Sequence, residues 1–156
     1  MKQLSTVMGI DEEIDGRFRN EYHRGIINLI YTVNQLNYQF YQFLKSHRLT
    51  PQQYNTLKIL RGFRNKAPLS IGFIKERLLD KNSDVSRIVD KLYERGLVSR
   101  SENSNDRRQK DVNITDKGLE LIGSMDECER KVDTLLINLT GNEVKLLNSL
   151  LDKIRG

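Results

Sequence analysis

Residues 83–118 read SDVSRIVDKLYERGLVSRSENSNDRRQKDVNITDKG, and the fold turns on how that run divides. Val85, Ile88, Val89 and Leu92 recur at i, i+3, i+4 and i+7, the spacing of one buried helix face. Asn82 or Ser83 is expected to cap this helix, and Gly96 suits the left-handed position just past its end. From Leu97 to Glu102, and again from Lys110 to Ile114, the pattern changes to strand. The intervening ENSNDRRQ is polar and turn-prone. A capped helix followed at once by a hairpin is the core of a winged helix-turn-helix.

Upstream, LTPQQYNTLKIL (49–60) announces another helix. Thr50 and Gln53 form a T-x-x-Q capping box, Pro51 fits the first turn, and Tyr54, Leu57, Leu60 and Phe63 face inward. After a short extended piece at Pro68–Leu69, Ser70 opens a brief helix with Ile71, Ile74 and Leu78 inside. Further out, Phe18, Tyr22, Ile26, Ile30, Val33, Leu36, Phe40, Phe43 and Leu44 step by threes and fours, predicting one long amphipathic helix. The first 17 residues lack a sustained period and read as a loose arm or a short helix. Downstream, Thr115 caps a long fifth helix carrying Leu119, Ile122, Met125, Cys128, Val132 and Leu135. Thr140 and Glu143 box a last helix with Val144, Leu147, Leu150, Leu151 and Ile154. The fold class expected is mainly α with a small β-hairpin wing: a winged helix-turn-helix lobe (49–114) between helical segments 18–48 and 115–156.

The chain has 156 residues and a formal net charge of +5, which favours polyanionic partners. Position matters more than the total. The outer face of the fourth helix carries Ser83, Ser86, Arg87, Asp90, Lys91 and Glu94. Short hydroxyls and one arginine near a helix N-terminus suit approach to base edges and phosphates, whereas Asp90 and Glu94 keep the C-terminal half off the backbone. A solvated helix face is the plainer reading of that helix alone. The hairpin tips the balance, because Arg100, Arg107, Arg108 and Lys110 gather in and beside an eight-residue loop against Glu102 and Asp106. Adjacent arginines on a loop tip fit a narrow minor groove, and Asp106 is expected to pair with Arg108 and hold it extended.

Several separated motifs agree in order and spacing with one family. The S-R-I-V-D-K-L helix, the E-R-G-L-V-S-R turn, the D-R-R wing tip, the I-T-D-K-G helix start and the upstream LTPQQYNTLKIL together resemble the MarR (multiple antibiotic resistance regulator) family of winged-helix repressors. The resemblance spans residues 49–118. It implies double-stranded DNA as partner, with Ser83, Asp84, Ser86 and Arg87 at the major groove and Arg108, braced by Asp106, in the minor groove. Lys91, Arg107 and Lys110 join the expected DNA contacts. Asp84 has three readings, a helix cap, an acceptor for cytosine N4 or a charge that repels phosphate, and the cap is favoured. The resemblance further implies a homodimer in which the first and last helices of two subunits intertwine. Their apolar stripes exceed what a small winged-helix core covers. It also implies a possible small aromatic or phenolic effector between dimer helices and reading lobe. Tyr38, Tyr41 and Tyr54 lie on segments that would line such a cleft, although core and interface packing is their plainer role.

Other classes fare worse. There is no P-loop, G-x-S-x-G or H-E-x-x-H, so an enzyme is not expected, and no cofactor is implied. His23, His47 and Cys128 are too few and too scattered for a metal site. Cys128, on an apolar stripe, reads as an inert thiol. A single cysteine fits a reducing cytoplasm, and no signal peptide or membrane span is read in the chain. The remaining alternative is a winged-helix protein–protein adaptor, which would be expected to lose the wing arginines that this chain carries.

Overall fold

The computed structural model describes residues 8–156, without the side chain of Cys128. It falls into two compact units, one ending at Gln39 and one from Phe40 onward. In the first, α1 (Ile10–Glu13) is a single turn, and Asp11 accepts a 2.8 Å charged hydrogen bond from Arg24. The long helix α2 (Glu21–Lys45) starts later than Phe18 because Asn20 Oδ1 accepts the His23 N–H, closing the N-terminus there. Tyr22, Ile26, Ile30 and Val33 on α2 are exposed in the single chain.

The second unit holds the core. Its helix α3 (Pro51–Gly62) begins at the Thr50–Gln53 capping box, both halves of which are made. A turn of 3-10 helix (Arg64–Lys66) leads into β1 (Leu69–Ser70), and the Ser70 hydroxyl caps α4 (Ile71–Arg77). Helix α5 (Val85–Glu94) follows, then β2 (Val98–Glu102) and β3 (Lys110–Ile114). The sheet order is β1-β3-β2, antiparallel throughout, with Leu69 opposite Val112 and Arg100 opposite Val112 across β3. Leu57, Ile74, Val89, Leu92, Leu97, Val98, Val112 and Ile122 are buried together, each worth about 1.5–3 kcal/mol of transfer free energy.

Two expectations need correction. Neither Asn82 nor Ser83 caps α5; Asp84 does, the role favoured for it above: its carboxylate accepts the Arg87 N–H at 3.1 Å, and the helix begins at Val85. A carboxylate at the positive helix end gains from the dipole as well as the hydrogen bond. The long fifth helix is two, α6 (Asp116–Ser124) and α7 (Asp126–Asp133), followed by a 3-10 turn (Thr134–Leu136). Gly123 and Ser124 break it: the Ser124 hydroxyl takes the Leu121 carbonyl at 2.7 Å, and Met125 N–H falls back to Ile122 O. Asp126, Glu127 and Glu129 then place negative charge at the new N-terminus. The expected packing role of Cys128 lies outside the described residues. The last helix, α8 (Gly141–Arg155), opens on the Thr140–Glu143 capping box and buries no residue within the single chain.

The end of α5 is built with little tolerance. Gly96 has φ +69°, Gly96 N–H bonds Tyr93 O, and Leu97 N–H reaches back to Leu92 O at 3.0 Å. Thr115 N–H donates to Leu97 O and its hydroxyl to Gly96 O. Gly118, in the first turn of α6, packs so closely that a Cβ would sit 2.2 Å from Leu97 O and 2.8 Å from Ile114 Cγ1. Gly118→Ala is therefore expected to cost about 2–3 kcal/mol, as overpacking against fixed backbone does. Urea unfolding at one protein concentration reads this directly, and an unchanged midpoint would show that the elbow can open.

Candidate nucleic-acid interface

The outer face of α5 is assembled by burial on its other side. Val85, Val89 and Leu92 are buried, which turns Ser86, Arg87, Asp90 and Lys91 to solvent. These exposed residues do not act alike. Asp84 is engaged as the helix cap. Ser83 is half-buried, and its hydroxyl oxygen is buried without a hydrogen-bond partner among the described residues. Lys91 is paired with Glu94 at 2.9 Å, an exposed pair of small energetic consequence. Arg87 offers its guanidinium without an acidic partner among the described residues. Ser86 and Arg87, one after the other in the first turn, are the groups of this face most open to a ligand.

The wing loop has more internal order than its composition suggested. Asn103 Oδ1 accepts the N–H groups of Asn105 and Asp106, while its Nδ2 donates to the buried carboxylate of Asp111 at 3.1 Å. The loop closes with Asn103 N–H on Gln109 O and Gln109 N–H on Asp106 O. Asn103 escaped the sequence reading, although an Asn three residues before an Asp is an Asx-turn signal.

Asp106 braces the tip by a different route from the one expected. Its Oδ1 accepts the backbone N–H of Arg108 at 3.0 Å and its Oδ2 is 3.3 Å from Gln109 Nε2, so it holds the peptide rather than the guanidinium. The physical reason is local: an Asx turn captures N–H groups two residues on more cheaply than it orders a long arginine side chain. Arg107 and Arg108 are left exposed, without acidic partners among the described residues. Lys110 lies 3.8 Å from Glu102 across the hairpin. Arg100, counted from sequence among the wing cations, turns inward to Asp90 of α5 and stacks 4.0 Å from the Tyr93 ring centre. The free positive charge of the wing is therefore concentrated at Arg107 and Arg108.

The three tyrosines are not alike. Tyr38 and Tyr41 are exposed on α2. Tyr54 is a core residue, 8% exposed, with the Phe40 ring edge-on at 5.5 Å and its hydroxyl on Glu129 at 3.3 Å. Glu129 also accepts from Lys58 and from Arg61 at 3.2 Å, and Arg61 reaches Asp126 at 3.5 Å. Five side chains thus bolt α3 of the reading lobe to α7, a cluster the sequence reading missed because its two halves lie about seventy residues apart.

The Lys58 hydrogen bond, helped by the charge of Lys58 and Arg61 and the Tyr54 hydroxyl, holds the Glu129 carboxyl below the ordinary glutamate value of 4.5. Its contribution to stability is complete above that value and is lost as pH falls through the depressed folded one. Wild type should therefore exceed Glu129→Gln in unfolding midpoint at pH 7, with the gap closing in acid. An equal gap at both pH values would assign the difference to packing rather than charge.

Known proteins agree with this arrangement. The family model that matches the chain is the MarR family, over residues 49–110. The HTH-type transcriptional regulator MhqR of Bacillus subtilis is 23% identical over 120 residues, covering 76% of this chain and 81% of that protein. Among solved structures, the MepR–DNA complex of S. aureus superposes with a TM-score of 0.73 at 22% identity, over 88% of this chain and 97% of that one. BpsR of Bordetella bronchiseptica, whose structure concerns regulation of DNA binding by 6-hydroxynicotinic acid, gives 0.71 at 22%, over 82% and 96%. At these identities the structures establish the winged-helix fold.

Proposed function

We propose that the chain, whose residues 49–110 match the MarR family model, is a transcriptional regulator of that family that binds a pseudo-palindromic operator as a homodimer and represses transcription in the cytoplasm. The observation that carries this reading is the division of the cations. Arg87 at the head of α5 and Arg107–Arg108 at the wing tip have no acidic partner among the described residues, while Lys91, Arg100 and Lys110 have acidic neighbours in their own lobe. Free guanidinium groups at the two places where a winged helix meets DNA match direct readout in the major groove and charge readout in the minor groove. Ser86 and Arg87 are assigned to base edges, Arg107 and Arg108 to the minor groove, and Lys91 and Lys110 to nearby phosphate. Asp84 and Asp106 hold the two reading elements in shape, and Ser83 packs at the entrance to α5 rather than presenting its hydroxyl.

Dimerisation is supported by apolar faces that a single chain leaves bare. Leu146, Leu150 and Ile154 of α8 are all at least half exposed, as are Tyr22, Ile26 and Ile30 of α2. Faces of this kind bury themselves against a partner. Two recognition helices would then enter successive major grooves about one helical turn apart. Repression by occluding polymerase is the plainest consequence. A small aromatic or phenolic anion as effector would act by favouring a dimer whose reading lobes are wrongly spaced. Tyr38 and Tyr41 are available to such a ligand, whereas Tyr54 is held in the core. Among the described residues no helix is long and apolar enough to cross a membrane, and no cluster of metal-binding side chains occurs.

Selection of bound fragments from a random duplex library at physiological salt should enrich an inverted repeat. Failure to enrich any sequence would favour a protein-binding role for the scaffold. On the selected operator, Arg108→Ala should weaken binding by about 1–3 kcal/mol and make it less salt-dependent. Unchanged anisotropy titrations would remove the wing from the interface. Arg87→Ala should erode preference for operator over random duplex more than total affinity. Equal loss on both duplexes would instead make Arg87 a phosphate contact.

A further inference from the structure

The proposed reading surface has two parts, a helix for one groove and a loop for the next, and their separation must be fixed for both to register together. The sheet alone does not fix it. The hairpin β2–β3 extends beyond β1, which pairs only at Val112 and Asp111, so its outer half has no third strand. At the Val112 rung itself, among the described residues, one side-chain hydrogen bond ties the hairpin to α5. Arg100, on β2 and in register with Val112, sends its guanidinium to the Asp90 carboxylate on α5. The same guanidinium lies over the Tyr93 ring, three residues further along that helix, at 4.0 Å. The side chain is two-thirds covered, with 32% exposure.

We propose that Arg100 is a positioning residue for DNA reading: clamped between Asp90 and Tyr93, it sets the spacing of the wing from the recognition helix without itself touching DNA. The inference rests on the DNA-binding reading above. Its physical basis is that a planar guanidinium satisfies two constraints at once. The carboxylate fixes its in-plane direction, and the aromatic face fixes its plane. Either contact alone would leave the hairpin free to rock about its base. Asp90, which looks ill-placed on a helix that approaches phosphates, has its charge neutralised by the same contact. Arg107 and Arg108 then sit at the end of a braced arm.

The clamp predicts a behaviour distinct from that of a phosphate contact. Arg100→Gln should lose about tenfold in operator affinity, mid-range for residues coupled in one network. The slope of log affinity against log salt should stay as in wild type, because no counterion release belongs to Arg100. A direct phosphate contact would lower that slope by about 0.9. Hydroxyl-radical protection in the minor groove under the wing should fade, while major-groove guanine protection under α5 persists. Arg100→Lys, which keeps the charge but not the planar stack, should fall between wild type and Arg100→Gln. Asp90→Asn combined with Arg100→Gln should lose less than the sum of the two.

Hydrogen exchange of the hairpin amides without DNA provides a separate arm, and should be faster in Arg100→Gln than in wild type. A reduced salt slope with wing protection intact would overturn the proposal by making Arg100 a DNA contact. Unchanged exchange with additive variants would overturn it by removing the clamp. If wild type itself shows no sequence preference, the DNA-binding reading fails, and the exchange arm reports the brace alone.

Discussion

The turn at Gly96 is the constraint on which the rest of the molecule depends. At this one point α5 ends, β2 begins, and the start of α6 is pinned against both. The left-handed conformation of Gly96 lets Leu97 N–H return to Leu92 O, so that two buried leucines close the end of the helix over the core. Leu97 O then accepts from Thr115, and the absence of a side chain at Gly118 lets α6 approach that carbonyl. Lys117 Nζ completes the junction by donating to Arg95 O at 2.8 Å, where cationic charge meets the negative end of α5. The direction in which the wing leaves the recognition helix follows from this junction.

Beyond the elbow, charge pairing sorts the cations into structural and available groups. A net charge of +5 says little about function until the neighbours of each charge are known. Lys58 and Arg61 join α3 to α7 through Glu129, and Arg100 joins the wing to α5 through Asp90. Arg95 donates to the carbonyls of His47 and Arg48, tying α5 to the loop before α3. These arginines and lysines hold elements together, whereas Arg87 at the head of α5 and Arg107 and Arg108 at the wing tip have no acidic partner among the described residues. That division links the packing of the lobe to the chemistry proposed for its surface.

The helices outside the reading lobe obey a different logic. α8 has two capping-box hydrogen-bond partners at its start and an apolar stripe along its length, yet none of its residues is buried by its own chain. Local signals are sufficient to form such a helix, while its stability in water depends on covering the stripe. In the homodimer proposed above a second subunit would do so by symmetry, each copy covering the same face of the other.

Much of this was legible in the sequence because it is written in short-range chemistry. The capping boxes at Thr50–Gln53 and Thr140–Glu143, the caps at Ser70 and Thr115, the strand Lys110–Ile114 and the turn at Gly96 each depend on residues within about five positions of one another. The core stripes of α3 and α5 followed from periodicity for the same reason. What the tertiary structure decided depends on groups far apart in the chain or on close competition between neighbours. Ser124 cut a periodic helix in two, and Asp106 took a backbone N–H in place of a guanidinium. Tyr54 found Glu129, and Arg100 left the wing's free charge for Asp90 and Tyr93. Periodicity reports which face of an element is buried, but hydrogen-bond and charge partners are fixed only when folding brings distant segments within a few ångströms, where direction and distance select among acceptors of similar strength.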